Sequence, residues 1–360
     1  MPTPLLGISP RPIYLLPMLR MGVMSAIVTR ESADPGWAER FGAEMWDLER
    51  LSGVREAERP RAGAGDLRSR LHEVTHWDGR GFHVVSYGRY GNRWKSALEQ
   101  AGARELNQPS QNGARPPRDK IAMREWFRAL GVVAPASFVA DRVDYRAVQR
   151  RFGSAFVAQL PRGNGGDGTY LISDRDVAEA LPDSDRWLIS EYAGDITVNF
   201  HGFVPGVGAP EVLRPSLQLT DVEGSGSSFG QYSGSDFRGP DRLPALALSR
   251  CRTAMRRIGT GLGELGYRGV FGVDFAIRGE NAYALEVNCR MQGSTWLLGE
   301  IEFGEGSPPT MLRHIAARGD VVVAGAARSE TRDATQLIVR HTGPPARLLR
   351  APLSGVYRPQ

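Results

Sequence analysis

The stretch GVFGVDFAIRGENAYALEVNCRMQGST, residues 269–295, carries the prediction of the fold. Two apolar runs flank the short segment RGEN, and this pattern predicts a β-hairpin. In the second run Glu286, Asn288 and Arg290 fall at every second position, so a strand places them on one face. Asp274 lies on the partner strand. A solvated strand face and a site for a metal ion and a phosphate both fit this row of side chains.

The spacing of the acidic residues sets a geometric condition on the hairpin. For Asp274 and Glu286 to share a face, we expect a connection of odd length, three or five residues around RGEN. Asp274, Glu286 and Asn288 then converge as oxygen ligands, which Mg²⁺ prefers. A metal accounts for the facing carboxylates, because like charges opposite each other destabilise a sheet. Arg290 follows on the same face and suits a phosphoryl group in transfer.

Two features upstream suit phosphate binding. The loop RGNGGDG, residues 162–168, lies between two apolar runs, and its glycines let backbone N–H groups approach a phosphate. No Gly-Lys-Ser/Thr sequence follows, so this is not a Walker loop. Lys120 begins a predicted helix in which Asp119 is the N-cap and Gly131 the end. Taken separately, the loop could be an ordinary hairpin tip, and Lys120 could be a solvated lysine in the first turn of a helix.

The segment ISEYAGDITV, residues 189–198, combines two acidic residues with an extended stretch and Gly194. Glu191 suits the exocyclic amine of an adenine, and Asp195 suits the hydroxyls of a ribose. An ordinary strand–turn–strand has the same pattern.

Taken in order, these features resemble the ATP-grasp superfamily over about residues 118–315. The resemblance rests on RDK before a helix, the glycine-rich strand–loop–strand, EYAGD, and GVDF followed by EVNCRMQGST. It implies that ATP and two Mg²⁺ ions bind here, with Asp274, Glu286 and Asn288 as metal ligands. It implies that Arg290 stabilises an acyl-phosphate transition state and that Lys120 contacts ATP phosphate. The other residues implied to bind the nucleotide are Gln159, Arg162, Gly163, Gly165, Gly166, Gly168, Glu191, Tyr192, Ala193 and Asp195.

One position departs from the family pattern. Many members carry a second lysine on the strand before the glycine-rich loop, where this chain has Gln159, which brings no charge. Arg162 is the candidate to compensate. A glutamine here, together with QYSGSDF at 231–237, resembles the peptide and amino-acid ligases of natural-product pathways, of the pheganomycin peptide ligase type. The implied reaction is ADP-forming carboxylate–amine ligation through an acyl phosphate.

The end of the motif adds a substrate site to this prediction. GST follows the metal strand and opens a predicted helix through Leu298. Backbone N–H groups and hydroxyls at such a helix start suit a carboxylate. We therefore expect Gly293, Ser294 and Thr295 to hold a substrate carboxylate.

The predicted fold class is α/β (α+β), an ATP-grasp fold of two subdomains that clasp ATP, after a small Rossmann-like pre-ATP-grasp domain. We expect domains at 1–117 and 118–330, the second divided into 118–190 and 191–330, and a C-terminal strand and tail at 331–360. Expected strands lie in 20–30, 82–88, ASFVA, AFVAQL, TYLIS, WLISEYA, DITVNFHGFV and TQLIVRH, and expected helices lie over 36–50, 92–102, DRDVAEAL and 244–265. Met21 and Met24 are alternative starts, which would make residues 1–20 dispensable.

The composition of the chain argues against several classes of binding partner. The net charge is +5, but the 45 basic residues include only two lysines, Lys95 and Lys120, and the arginines form no block, so we expect no nucleic-acid partner. Cys251 and Cys289 make neither a disulfide framework nor a zinc quartet. No apolar run reaches membrane-spanning length. We expect a cytoplasmic enzyme, with a homodimer as the candidate assembly, that acts on a small carboxylate and an amine or peptide acceptor.

Three alternatives stay open. The segment HEVTH matches the zinc-protease helix pattern, with His72 and His76 one turn apart. Against it, WDG ends that helix at once, and His83, one residue beyond the third ligand position, falls in a predicted strand. A related ligase would join the carboxylate to a carrier-protein thiol. The third alternative is a nucleotide-binding scaffold without catalysis. The uncharged Gln159 favours it, whereas the presence of Asp274, Glu286 and Asn288 together with Arg290 argues against it.

Overall fold

The computed structural model describes residues 5–9, 11–29, 35–47, 82–87, 102–105, 116–117, 119–163, 165–222, 226, 228–317 and 333–338. Within these ranges the chain forms three β-sheets with flanking helices. None of the helices in these ranges combines the length and the apolar content that a membrane span requires.

The first sheet is parallel, with five strands in the order β3-β2-β1-β4-β5. All residues of the central strand β1 are buried, as is typical of a parallel sheet covered on both faces. The elements are β1 Leu5–Ser9, a 3₁₀ helix Pro12–Leu15, α1 Leu16–Arg20, β2 Ala26–Thr29, a 3₁₀ helix Pro35–Phe41, β3 Glu44–Asp47, β4 Phe82–Ser86 and β5 Ala103–Glu105. The strands predicted in 20–30 and 82–88 are confirmed. The helix predicted over 92–102 lies outside the described residues except at its last position.

Two predictions for this domain are wrong. The helix expected over 36–50 is a short 3₁₀ helix followed by β3. Gly42 ends the 3₁₀ helix with a φ of 72°, and β3 pairs in parallel with β2, so sheet pairing overrides the helical pattern. Residues 5–20 are not dispensable, because they contain the unpredicted central strand β1 and the buried Met18 and Leu19 of α1.

The second sheet is antiparallel, with the strand order β6-β9-β7-β8. Its core contains Phe156, Ile172 and Trp187. The elements are β6 Ser137–Ala140, α3 Tyr145–Phe152, β7 Phe156–Gln159, β8 Thr169–Ile172, α4 Arg175–Glu179 and β9 Trp187–Glu191. The four strands and α4 were predicted, whereas α3 was not.

The third sheet has six strands in the order β14-β13-β10-β11-β12-β15. A long helix, α5 (Ala245–Glu264), packs across it and buries Cys251, Met255 and Ile258 against the strands. The elements are β10 Ile196–Val204, β11 Glu211–Thr220, β12 Tyr232–Asp236, a 3₁₀ helix Gly239–Arg242, α5 Ala245–Glu264, β13 Gly269–Arg278, β14 Asn281–Asn288 and β15 Thr335–Leu337. The sequence pattern did not predict β11, which contains Pro215 next to an irregularity in its pairing with β10.

Helix α2, Lys120–Ala129, lies between β5 and β6 in the chain and joins the second and third sheets. Its Met123 and Phe127 belong to the core of the third sheet. Its first N–H group, on Lys120, donates to the carbonyl of Pro161 beside β7 at 2.9 Å. Asp119 is the N-cap, as predicted, and accepts from the backbone N–H groups of the first turn.

Two later helices connect the third sheet to the first sheet. They are α6 Thr295–Gly304 and α7 Thr310–Ala316. Met311, Leu312 and Ile315 of α7 share one buried cluster with Leu15 and Met18. Met291, in the turn that follows β14, belongs to the same cluster, so the first sheet and its helices pack directly behind this turn.

Candidate active site

The β13–β14 hairpin lacks the connection that we expected, yet it brings the two carboxylates together. Two residues, Gly279 and Glu280, join the strands, an even number. With regular pairing Asp274 would lie opposite Leu285, and Glu286 would point to the other face. A β-bulge takes up one extra residue here, so Asp274 pairs with Glu286 instead. The prediction of an odd connection is wrong, and the bulge supplies the offset that an odd connection would have given.

The carboxylates lie in a row of polar side chains that crosses the third sheet. Asn199 on β10 pairs with Asp274, which pairs in turn with Glu286. Asp274 Oδ1 accepts from Asn199 Nδ2 at 2.6 Å and from Gln218 Nε2 at 2.8 Å. Asn288 Nδ2 donates to Asp274 Oδ2 at 3.3 Å. The side chains predicted to hold the metal are therefore neighbours.

The electrostatics of this row suit a cation. Burial raises the pKa of Asp274 to about 7, and the Glu286 carboxylate adds to the rise. A hydrogen bond from Asn199 and the charge of Arg290 oppose it. The two facing carboxylates resist joint ionisation on their own, and a divalent cation among oxygen ligands removes that penalty. No cluster of three His, Cys, Asp or Glu side chains occurs in the described part of the chain, so an amide such as Asn288 would complete the ligand set.

Arg290 lies just beyond the end of β14. Its Nη2 donates to Asn288 Oδ1 at 3.1 Å, and its Nη1 donates to the carbonyl of Met291 at 3.2 Å. Its charge lowers the pKa of Asp274, as noted above. The structure thus places this guanidinium beside the metal-ligand row.

Lys120 reaches the same region from helix α2. Its Nζ lies 3.3 Å from the position that a Cβ on Gly163 would occupy. Burial lowers the pKa of Lys120, and the Glu286 carboxylate opposes this shift. Lys120, the glycine-rich loop and the metal-ligand row therefore meet, although they belong to separate elements.

The glycine-rich loop packs closely against the segment just before β12. Gly165, Gly166 and Gly168 have φ angles of 62°, 99° and 69°, which favour glycine. A Cβ on Gly166 would lie 2.8 Å from the carbonyl oxygen of Gly230 and 2.9 Å from Gln231 Cα. The loop can therefore make this contact only without a side chain at Gly166.

Gln159 and Arg162 flank this loop. Gln159 Nε2 donates to Thr169 Oγ1 at 3.2 Å, across the β7–β8 pair. Arg162 is exposed. The glutamine that replaces the family's lysine thus lies at the base of the loop and is held by the opposite strand.

Glu191, at the end of β9, has protein partners for both carboxylate oxygens. Its Oε1 accepts from the N–H of Ala136 at 2.9 Å, and its Oε2 pairs with Arg278 Nη2 at 3.2 Å. The carboxylate thereby connects β9 to the start of β6 and to β13. Its contact with an adenine amine stays a prediction.

The residues after Glu191 form a short turn before β10. The Tyr192 hydroxyl donates to Asp195 Oδ1 at 2.7 Å. Burial and this carboxylate raise the pKa of Tyr192 to about 12. Ala193 is buried, and the ring of Tyr192 lies 6.4 Å from that of Phe229, centroid to centroid. The roles of these residues in holding a nucleoside stay predictions.

The predicted substrate turn, Gly293 to Thr295, precedes α6 and is fixed by buried hydroxyls. Thr295 Oγ1 accepts from the N–H of Gln292 at 2.8 Å and lies 3.2 Å from His201 Nε2. Ser294 Oγ lies 3.4 Å from the same nitrogen. Burial lowers the pKa of His201 to about 4, so the imidazole is neutral at pH 7. The two hydroxyls therefore hold the turn together internally.

Two tyrosines enclose the same turn. The Tyr87 hydroxyl, from the first domain, donates to the carbonyl of Gln292 and accepts from the N–H of Trp296 at 3.1 Å. A Cβ on Gly293 would lie 2.8 Å from the ring of Tyr232. Gly293 is the half-buried member of the turn, so the backbone there is the part closest to the surface.

Sequence reasoning missed three side chains of this site. Asn199 and Gln218 bind Asp274, and Arg124 contacts the backbone of β14. Burial lowers the pKa of Arg124 to about 10, so the side chain stays charged at pH 7. One signal was available, because Arg124 lies one helical turn after Lys120 on the same face of the helix.

The zinc alternative gains no support from the structure. His72 and His76 lie outside the described residues. His83 is part of the parallel strand β4, as its predicted strand requires.

Known proteins share this architecture. Residues 118–294 match the family model described as an ATP-grasp domain. The structure is similar to a biotin carboxylase–βγ-ATP complex from Campylobacter jejuni, with a TM-score of 0.61 and 14% identity over 92% of this chain and 73% of that one. For N5-carboxyaminoimidazole synthetase from Staphylococcus aureus complexed with ADP, the TM-score is 0.56 and the identity 11%, over 92% and 81%.

A third similar structure is the biotin carboxylase domain dimer of Hydrogenobacter thermophilus 2-oxoglutarate carboxylase, solved with MgADP, ADP and bicarbonate. Its TM-score is 0.58 and its identity 13%, over 89% of this chain and 71% of that one. No curated protein matches the sequence.

These matches define the fold of the protein. Residues 118–294 form an ATP-grasp domain, and a parallel α/β domain precedes it, so the predicted fold is confirmed. The prediction of an ATP-grasp ligase agrees with the match over residues 118–294. Structural likeness at 11–14% identity establishes the fold and leaves the substrates to be inferred from the site.

Proposed function

We propose that the protein is an ATP-dependent, ADP-forming ligase that joins a carboxylate to the amine of an amino acid or peptide. In this reaction a carboxylate oxygen of the substrate attacks the γ-phosphorus of ATP, ADP leaves, and an acyl phosphate forms. The amine then attacks the acyl carbon, phosphate leaves, and the amine gives up a proton to solvent. The product is an amide or a peptide.

One observation carries the proposal, the facing pair of Asp274 and Glu286 beside Asn288 and Arg290 in an ATP-grasp domain. A strand face with no ligand gains nothing from two opposed carboxylates. The same pair suits Mg²⁺, which takes one or two protein carboxylates and completes its shell with water and phosphate oxygens. Two of the similar structures contain ADP, one of them with magnesium, which supports ATP and Mg²⁺ as the ligands here.

The chain's own residues supply position and charge. Asp274, Glu286 and Asn288 would hold Mg²⁺, which supplies neutralisation of phosphate charge when bound. Lys120 and Arg290 bring two further positive charges to the transferring phosphoryl group.

The glycine-rich loop would cover the phosphates. Backbone N–H groups of Gly163, Gly165, Gly166 and Gly168 can approach phosphate oxygens because no side chains intervene. Gln159 and the exposed Arg162 extend this site, and closure of the loop excludes water from the acyl phosphate. Glu191, Tyr192, Ala193 and Asp195 are the residues proposed to hold adenine and ribose.

The substrates proposed are an amino acid or similar carboxylate and an amino-acid or peptide amine. Gln159 and the QYSGSDF segment support this choice, as does the position of Tyr232, from that segment, against the Gly293 turn. The turn from Gly293 to Thr295 is proposed to hold a substrate carboxylate. A role in natural-product biosynthesis, a cytoplasmic location and a homodimer are parts of the same proposal, and one similar structure is a domain dimer.

A product assay tests the reaction. The purified protein is incubated with ATP, Mg²⁺ and a panel of amino acids and short peptides, singly and in pairs, and ADP, AMP and phosphate are quantified. We expect ADP and phosphate with the correct pair, and a hydroxamate when hydroxylamine replaces the amine, since hydroxylamine traps an acyl phosphate. AMP with pyrophosphate would overturn the mechanism.

The same assay separates the two acceptor classes. A phosphopantetheine-bearing carrier protein or free pantetheine replaces the amine, and thioester formation is followed by mass spectrometry. Product formation with amines alone supports the proposed reaction, whereas turnover that requires the thiol assigns the protein to carrier loading.

A further inference from the structure

The β-bulge that aligns Asp274 with Glu286 leaves backbone groups outside the regular ladder of β14. The extra residue is Leu285, between Ala284 and Glu286. A bulge interrupts the inter-strand hydrogen bonds, and buried backbone groups need other partners. The partners of these groups therefore decide whether the bulge, and with it the carboxylate pair, is stable.

Helix α2 and the segment after it provide those partners. Arg124 Nη1 donates to the carbonyl of Ala284 at 3.0 Å and to the carbonyl of Leu285 at 2.9 Å. The N–H of Ala284 donates to the carbonyl of Val133 at 2.8 Å. Three backbone groups at the bulge are thus bound from one side of the molecule.

To make this contact, the charged side chain of Arg124 is buried and gives up its hydration. The residue is 7% exposed and its Nε has no hydrogen-bond partner, so the two hydrogen bonds from Nη1 are the contacts that offset the burial of this guanidinium. The nearby Glu286 carboxylate favours its charged form. The same helix carries Lys120 one turn earlier, so a single rigid element positions one group at the phosphate-binding loop and another at the bulge.

From these contacts we infer that Arg124 is a positioning residue, which holds the bulge at Leu285 and thereby keeps Asp274 and Glu286 on one face. Arg124 acts through the backbone of β14 and need not touch the nucleotide. The inference rests on the proposed function, because the aligned carboxylates matter as a metal site.

Two variants and one control test this inference. Arg124→Met keeps an unbranched apolar side chain but removes both hydrogen bonds. Arg124→Lys keeps the charge, but its ammonium lies one bond nearer the main chain than the Nη1 that binds both carbonyls. Arg128→Met is the matched control, because Arg128 is exposed on the same helix.

The first readout needs no ligand. Hydrogen exchange is measured by mass spectrometry on peptides that cover 281–288 and, for comparison, 187–191. In Arg124→Met we expect exchange at least about tenfold faster in the hairpin peptide and unchanged exchange in the comparison peptide. Arg124→Lys should be intermediate, and Arg128→Met should match the wild type. Equal acceleration in both peptides, or none in the hairpin, would overturn the inference.

The second readout is the gain in ADP affinity that Mg²⁺ provides, measured by calorimetry with MgCl₂ and with EDTA. In Arg124→Met the gain should be about tenfold smaller than in the wild type, as is usual when a residue that orients metal ligands is removed. The affinity of this variant for ADP without metal should stay within about twofold of the wild-type affinity. A full gain in folded Arg124→Met refutes the positioning role. If the wild type itself shows no gain, the metal assignment fails, and the exchange experiment still decides whether Arg124 holds the bulge. If Arg124→Met does not fold, Arg124→Lys is measured in its place by the same two criteria.

Discussion

Two hairpins meet at the proposed site, and they present their chemistry in different ways. In the β13–β14 hairpin the turn is only a connection, and the functional groups are side chains in the middle of the strands, aligned by a bulge. In the β7–β8 hairpin the strands are only a support, and the functional part is the glycine-rich loop itself. The first depends on register and the second on the absence of side chains.

Helix α2 contacts both the β7–β8 hairpin and the β13–β14 hairpin. Its first N–H group binds Pro161 beside the glycine-rich loop, and Arg124 binds the bulged strand. A change in a side chain of the β13–β14 hairpin should therefore affect chemistry most, a change in the loop should affect nucleotide binding, and a change in the cap of α2 should affect both weakly.

The largest effect is expected from a carboxylate in the metal row. Glu286→Gln keeps the shape but removes the charge, so turnover should fall by at least about a hundredfold in the phosphate-release assay. The control is Glu280→Gln, in the exposed two-residue turn of the same hairpin, which should retain the wild-type rate. A near-normal rate for Glu286→Gln would remove the residue from the catalytic site.

A smaller effect is expected in the loop. Gly166→Ala adds a Cβ that would lie 2.8 Å from the carbonyl oxygen of Gly230, so the loop can no longer seat and the KM for ATP should rise about tenfold. Gly165→Ala is the control, because Gly165 also has a positive φ but no atom lies within 4 Å of its added Cβ. Equal KM values for the two variants would show that backbone strain, and not seating of the loop, is what matters.

A weaker effect is expected from the cap of α2. Asp119→Ala removes the N-cap beside Lys120 and should lower the free energy of unfolding by about 1 kcal/mol. Asp144→Ala removes the equivalent cap of α3 and should also lower the free energy of unfolding. Only Asp119→Ala should also raise the KM for ATP, by about threefold if the Lys120 ammonium loses part of its interaction with phosphate. Identical KM values in both variants would argue against a role for α2 in the site.

The smallest effect on activity, together with a pH dependence of stability, is expected from the buried side of the β13–β14 site. Burial lowers the pKa of His201 to about 4 in the folded protein, below its ordinary value of 6.5. Between pH 6.5 and 4 the unfolded chain binds a proton that the folded chain does not, so the free energy of unfolding falls as the pH falls. His201→Gln should show a smaller decrease in melting temperature from pH 7.5 to pH 5 than the wild type. An equal decrease would show that other groups account for the acid sensitivity.

The sequence was a good guide wherever the signal was local. Asp119 caps α2, Gly131 follows its end, and the β13–β14 hairpin forms where two apolar runs flank RGEN. It was a poor guide where a distant partner decides the structure. Strand β1 is the centre of a sheet although its five residues carry no periodic pattern, and β11 forms across a proline because β10 and β12 pair with it.

By itself the amino-acid sequence determined the order and spacing of the chemistry-bearing residues, because strand alternation, helix capping and glycine-rich turns are set by neighbours in the chain. Only the tertiary structure decided that Asp274 faces Glu286. The two-residue connection alone would place the two side chains on opposite faces, and the one-residue bulge shifts the register so that they share one. The backbone groups at that bulge are bound by a residue about 160 positions earlier, Arg124. Such a partner is chosen by packing of the whole domain, so no local pattern around residue 285 could have revealed it.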